Sequence, residues 1–169
     1  MRVLQISILC LICISASVHS SESLSHLTLD PGFKISIFAK NLDSPRQMAE
    51  GDNGTIFLGQ RSGTILALLD SDRNGKVDSR RVIADNLTYS TGVSIFDGDL
   101  YFSEISKIWK IKNIESWLQK NASGLPEKIL VTDNLPEDKW HGWKWLQHNS
   151  NGDIYTNVGA PCNTCLSEN

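Results

Sequence analysis

Three short segments of near-identical design recur along the chain: NGTIFLGQ (53–60), DGDLYFSE (97–104) and NGDIYTNV (151–158), at offsets of 44 and 54 residues. Each begins with a turn pair ending in Gly and continues with alternating residues in which Ile or Leu precedes Phe or Tyr. A second register keeps the same step, with AKNL (39–42), ADNL (84–87) and TDNL (132–135) spaced 45 and 48 residues apart. A looser pair, SGTILALL (62–69) and SKIWKIKN (106–113), repeats it once more at 44 residues. Interleaved motifs at one period restrict the chain to a repeat architecture, because each unit exposes an apolar face that only a neighbouring unit can cover.

The unit itself reads as four short antiparallel strands. Asn-Gly and Asp-Gly reach the positive φ angles of tight hairpins, and Ile, Val, Phe and Tyr fit a half-buried pleated surface. Strands are expected near 45–51, 55–60, 64–69 and 80–85, then near 91–96, 99–104, 107–111 and 127–132. The second unit also holds a short helix over 114–121, capped by Asn113, with Ile114, Trp117 and Leu118 on its apolar side. A third unit begins near Pro136 and stops after its second strand. Four-stranded units of this length point to an all-β fold, a partial β-propeller of about two and a half blades. A β-sandwich of about ten strands is the competing architecture, but it does not require the repeated Asn-Leu phase. The segment FKISIFAKNL (33–42) reads as an outer strand without inner partners, and 153–158 as a final strand without outer neighbours. Two and a half units cannot close a ring, so the chain is expected to be an incomplete propeller over 33–169, preceded by a lead-in over 21–32.

Residues 1–20 read as a secretory signal peptide: Arg2 leads, ILCLICI (8–14) is apolar, and small residues precede a cut near Ser20/Ser21. The mature chain then keeps Cys162 and Cys165, which in an oxidising compartment form a local loop disulfide more simply than a redox dithiol or a zinc site. Sequons at Asn53, Asn86 and Asn121 agree with a secreted glycoprotein. A net charge of −3 disfavours nucleic acid as a partner. Beyond the leader no run approaches the roughly 18 apolar residues of a membrane span.

Several segments together resemble one family: PGFKISIFAKNLDSPRQMA (31–49), the GxIxxLxDxDxNG stretch (63–75), GDLYFSE (98–104), LPEDKWHGWKWL (135–146) and NGDIYTNVGAPCNTC (151–165). They are similar to the pyrroloquinoline-quinone-dependent sugar dehydrogenases, in the glucose/sorbosone dehydrogenase-like branch, from about Leu29 to Cys165. The resemblance implies a six-bladed propeller with quinone and calcium near its axis. It implies oxidation of a sugar or polyol, with electrons passed to an external acceptor. His141, after Leu135-Pro136, occupies the place of the family's catalytic base. Histidine suits the task, since removal of a hydroxyl proton during hydride departure needs a base poised near neutrality.

The sequence also departs from the family. Trp140 stands where the glucose-oxidising members carry an Asp beside the histidine, so that partner is missing or supplied elsewhere, for instance by Asp138. The residues by which the family grips quinone and calcium belong to later blades, so this chain is not expected to bind them by itself. In an extended segment His141, Trp143 and Trp145 would share one face, as a sugar-stacking platform or as packing between blades. Asp70, Asp72, Asn74 and Asp78 form the start of a calcium loop, although Arg81 stands where a bidentate Glu is expected; a polar hairpin is the plainer account. Arg46 and Arg61 either face the channel and meet anionic cofactor groups or pair with Asp43 or Asp70 on the surface. The alternative to an enzyme is a non-catalytic secreted protein of the extracellular matrix or one that binds carbohydrate.

Overall fold

The computed structural model describes residue 24 and residues 26–120, 123–160 and 162–164. The leader, Asn121 and Cys165 lie outside the described residues. The chain divides into two compact units, Met1–Ser36 and Ile37–Asn169. In the first, turns are closed by hydrogen bonds from Leu27 N–H to Leu24 O (3.0 Å) and from Phe33 N–H to Asp30 O (3.2 Å).

The second unit carries the sheets. β1 (Pro45–Glu50), β2 (Ile56–Gln60), β3 (Thr64–Leu69) and β4 (Ser79–Ala84) form a four-stranded antiparallel meander in chain order. β5 (Val93–Phe96), β6 (Asp99–Ser103), β7 (Ile108–Ile111) and β8 (Ile129–Thr132) form a second of the same order. β9 (Leu146–His148) and β10 (Ile154–Thr156) make a two-stranded third sheet. Every expected strand from β1 to β8 is present within about two residues of its anticipated ends.

The β5–β6 connection is the tight hairpin its sequence demands. Asp97 (φ 50°) and Gly98 (φ 74°) both turn left-handed, and Phe96 faces Asp99 across a two-residue loop. The Asn-Gly pair at 151–152 behaves differently. Asn149 Oδ1 accepts from the N–H groups of Asn151 and Asp153, each at 2.9 Å, which opens a five-residue loop instead.

Two local expectations are corrected. No strand forms over 33–42: within the second unit, one backbone bond, Val77 N–H to Phe38 O at 3.0 Å, and the Arg80 guanidinium on the carbonyls of Lys40 and Asn41 hold the segment. A single backbone contact is no ladder. Helix α1 (Ile114–Gln119) is shorter than expected, and Asn113 does not cap it through its side chain. Asn113 is left-handed (φ 46°), and its own N–H donates to the Asp99 carboxylate at 2.9 Å.

The core lies between the first two sheets. Phe57, Ile65, Ala67 and Ile83 meet Val93, Leu100, Phe102 and Ile111, with Ile114 and Leu118 of α1 closing one side. From α1, Glu115 also reaches back to the first sheet, accepting from Thr55 Oγ1 (2.9 Å) and Asn53 N–H (3.3 Å).

Candidate functional site

The first strands of the three sheets are neighbours, β5 lying between β1 and β9. One side chain ties their starts together. Gln47 of β1 accepts at Oε1 from the N–H groups of Val93 (3.3 Å) and Leu146 (3.0 Å), and donates from Nε2 to Leu146 O (2.7 Å). The antiparallel registers Pro45↔Gln60 and Gln60↔Thr64 bring the β2–β3 turn to that same end. The segments entering β5 and β9 therefore emerge there too, and with them His141.

His141 does not lie on an extended strand, as the alternating reading required. It sits left-handed (φ 55°) at the centre of a turn closed by the Gly142 N–H to Lys139 O bond at 3.3 Å. The imidazole is half-buried, against Trp140 at 5.0 Å between ring centroids. Its Nδ1 lies 2.9 Å from the Ala160 carbonyl. A carbonyl only accepts, so Nδ1 carries the hydrogen and Nε2 is left with the basic lone pair. Gly159 makes this close approach feasible, because a Cβ there would run into the His141 carbonyl and lie 2.6 Å from the His141 Cβ.

The three tryptophans part company at this turn. Trp143 packs on Tyr89, with centroids 4.7 Å apart, while Trp140 and Trp145 are exposed at 61% and 52%. A shared His141–Trp143–Trp145 face does not form, since the left-handed residue breaks the alternation on which it depended.

The chain beneath His141 is fixed by a residue that sequence reasoning passed over. Lys144 is buried, at 1% exposure, and donates from Nζ to Gly142 O at 2.8 Å. Burial pushes its ammonium below the usual lysine range, while Asp138 acts in the opposite sense. Its carbonyl accepts from Thr91 Oγ1 and Ser103 Oγ, each at 3.0 Å, and Ser103 Oγ in turn accepts from Gly92 N–H at 2.9 Å. A lysine between two tryptophans reads as surface. Its carbonyl's partners, Thr91 and Ser103, lie far away in sequence, so only the fold reveals them.

Arg46 and Arg61 pair with neither Asp43 nor Asp70. Both guanidiniums lie over the Trp143 ring, at 5.9 and 4.9 Å from its centroid. The acidic loop lies at the other end of the strands. Ligand oxygens of Asp70, Asp72 and Asp78 come within 4.8 Å of one another. Those carboxylates bind the loop's own backbone: Ser71 N–H to Asp78 (2.6 Å), Asn74 N–H to Asp70 and Asp72 (3.1 Å each), and Gly75 N–H to Asp70 (2.8 Å). The Asn74 amide donates to Asp72 at 2.8 Å, so it too serves to close the turn. A cleft of about 380 Å³ beside this loop is bordered by Asn53, Asp70, Arg73 and Glu115 and is separate from His141.

Asn53 and Asn86 are exposed in connections between strands. Cys162 is disulfide-bonded, while its expected partner Cys165 is not among the described residues. No helix among the described residues is long and apolar enough to cross a membrane.

No family model matches the sequence. An uncharacterized protein of Borreliella burgdorferi is 28% identical over 156 residues, covering 88% of this chain and 40% of that protein. The chain thus spans less than half of that relative's length. Among solved structures, the holo form of the pyranose dehydrogenase PQQ domain from Coprinopsis cinerea superposes with a TM-score of 0.59 at 16% identity, over 72% of this chain and 29% of that one. A Trichoderma reesei carbohydrate-active enzyme of family AA12 gives 0.54 at 16% identity, over 69% and 29%. At this identity the likeness defines the fold alone: antiparallel sheets arranged as in the quinone-dependent sugar dehydrogenase domains.

Proposed function

We propose that the chain is part of a secreted quinone-dependent sugar or polyol dehydrogenase-like protein, its sheets being successive blades of a six-bladed propeller. His141 acts as the base that takes a proton from a sugar hydroxyl. The observation that carries this reading is the placement of His141 at the joined starts of β1, β5 and β9, with Nδ1 committed to Ala160 O and Nε2 left to accept. In a propeller the first strands line the central channel, where an axial ligand would meet such a base. Lys144 and Gly159 serve it indirectly, the one holding the Gly142 carbonyl and the other admitting the His141 backbone.

The described residues do not fit a calcium ion beside His141. Their one cluster of three carboxylates close enough to share an ion, Asp70, Asp72 and Asp78, lies at the opposite strand ends. The ion that accompanies the hydride acceptor would therefore be held by other parts of the whole protein, whose electrons would pass to an external acceptor, and this chain contributes the base.

The test is a dye-coupled assay of the full-length protein, reconstituted with quinone and calcium, over a panel of aldoses and polyols. His141→Gln is expected to lower turnover by roughly 10²- to 10⁴-fold, the usual range for losing a general base. Turnover that survives the substitution would remove His141 from this role.

A further inference from the structure

The cations and aromatic rings around Trp143 take no part in that proton transfer. Arg61 and Arg46 lie over its indole, and Tyr89 packs on it with the Lys139 ammonium 5.9 Å from the Tyr89 centroid. These groups come from four separate places: the start of β1, the β2–β3 turn, and the segments that enter β5 and β9. Trp143 follows His141 by two residues, so the cluster stands at the same end of the strands.

Both arginines are exposed, and among the described residues neither guanidinium has a carboxylate partner or donates a hydrogen bond. Asp43 and Asp70 are engaged elsewhere: Asp43 accepts from Ser44 Oγ at 3.2 Å, and Asp70 from Asn74 and Gly75. A guanidinium held over an indole as a cation keeps N–H donors in its plane that the ring does not use. The contact also restricts the side chain, so less freedom is lost when the fork closes on a carboxylate.

We propose that Arg46 and Arg61, held on Trp143, form an anion subsite for a carboxylate-bearing saccharide, a uronic acid or an oligosaccharide containing one. This rests on the sugar-directed reading above and narrows its substrate class from neutral to acidic sugars. A carboxylate takes the two forks, and the pyranose ring lies along the neighbouring aromatic surface of Trp143 and Tyr89. A neutral sugar meets the same rings but leaves the forks to water.

The test is direct binding to the full chain by calorimetry, with trigalacturonate, a neutral trisaccharide of the same length, and pyrroloquinoline quinone as separate probes. Trigalacturonate is expected to bind at least about tenfold more tightly than the neutral trisaccharide, and more weakly as salt rises. Arg61→Gln and Arg46→Gln should each abolish that preference, with Arg61→Lys restoring only part of it, while circular dichroism stays unchanged. Equal affinity for both saccharides, no saturable uronate binding, or uronate binding indifferent to both substitutions would overturn the subsite. Saturation by the quinone alone would overturn its assignment to a saccharide. Uronate binding without sugar turnover by the reconstituted protein would leave the subsite standing and remove the dehydrogenase reading. Neutral-sugar turnover without uronate binding would do the reverse.

Discussion

Gln47 and Leu146, 99 residues apart, share two hydrogen bonds: the amide nitrogen of Gln47 donates to the Leu146 carbonyl, and its oxygen accepts the Leu146 N–H. The same oxygen takes the Val93 N–H, so one side chain completes the backbone pairing of two strands in other sheets. Gln47→Ala leaves those backbone groups without partners, and each unpaired group costs about 1–3 kcal/mol. Urea denaturation should show a loss of at least about 2 kcal/mol, with faster hydrogen exchange at Val93 and Leu146. Gln47→Glu should not rescue the loss, because an ionised oxygen then faces the Leu146 carbonyl.

His148 has its Nδ1 2.8 Å from Ser94 Oγ, stacks on Phe96 and packs on Tyr101, and among the described residues its buried Nε2 has no partner. Burial lowers its pKa below the ordinary 6.5, so the folded protein binds fewer protons than the unfolded chain in that range. Stability is therefore full above 6.5 and falls as pH drops from there through the folded value. In His148→Phe, which keeps the ring stack, this acid-side loss should disappear from unfolding midpoints measured between about pH 5 and 8.

Lys144 obeys the same sign from a higher starting point. Its pKa is lowered from 10.5 chiefly by burial, so its contribution to stability is complete above 10.5 and shrinks as pH falls below it. The stability of the native chain relative to Lys144→Met should rise between about pH 7 and 10, read from urea midpoints at each pH. A flat difference would mean that the ammonium titrates as it does in water.

Gly159→Ala places a methyl against the backbone of His141. The expected result is an overpacking penalty of about 1–3 kcal/mol and displaced His141 ring resonances, without general unfolding. The sheets contain no contact that this methyl would break, so strand resonances should stay in place.

Phe102→Ala empties the centre of the core, where the ring is wholly buried, and should cost about 3–5 kcal/mol. Trp140→Ala removes a ring 61% exposed and should stay within about 0.5 kcal/mol of the native chain. Thermal melts of the two variants give the comparison directly.

The strands were legible because hairpin chemistry and alternation are local: Asp97-Gly98 and the runs on either side specify β5 and β6 without help. The segment 33–42 shows the same alternation, yet forms no strand, because a strand needs a partner and its pattern cannot show whether one is present. His141 could be placed at the entrance to the third sheet, but its left-handed backbone could not, since Ala160 and Gly159 set it from the far side of a hairpin. Gln47 offered a faint signal: it is a polar residue on the same face of β1 as Ala49, where the pattern turns inward. Lys144 offered none, because burying a lysine contradicts its ordinary preference and depends wholly on its surroundings.

The long separation between Gln47 and Leu146 also dictates an order of assembly. Each meander joins strands that follow one another directly, so its loops close early and at small entropic cost. The clasp at Gln47 has to wait until residue 146 has been synthesised and the intervening chain has settled. Until then the amides of Val93 and Leu146 remain hydrated, and the junction of the three sheets becomes watertight later than either meander.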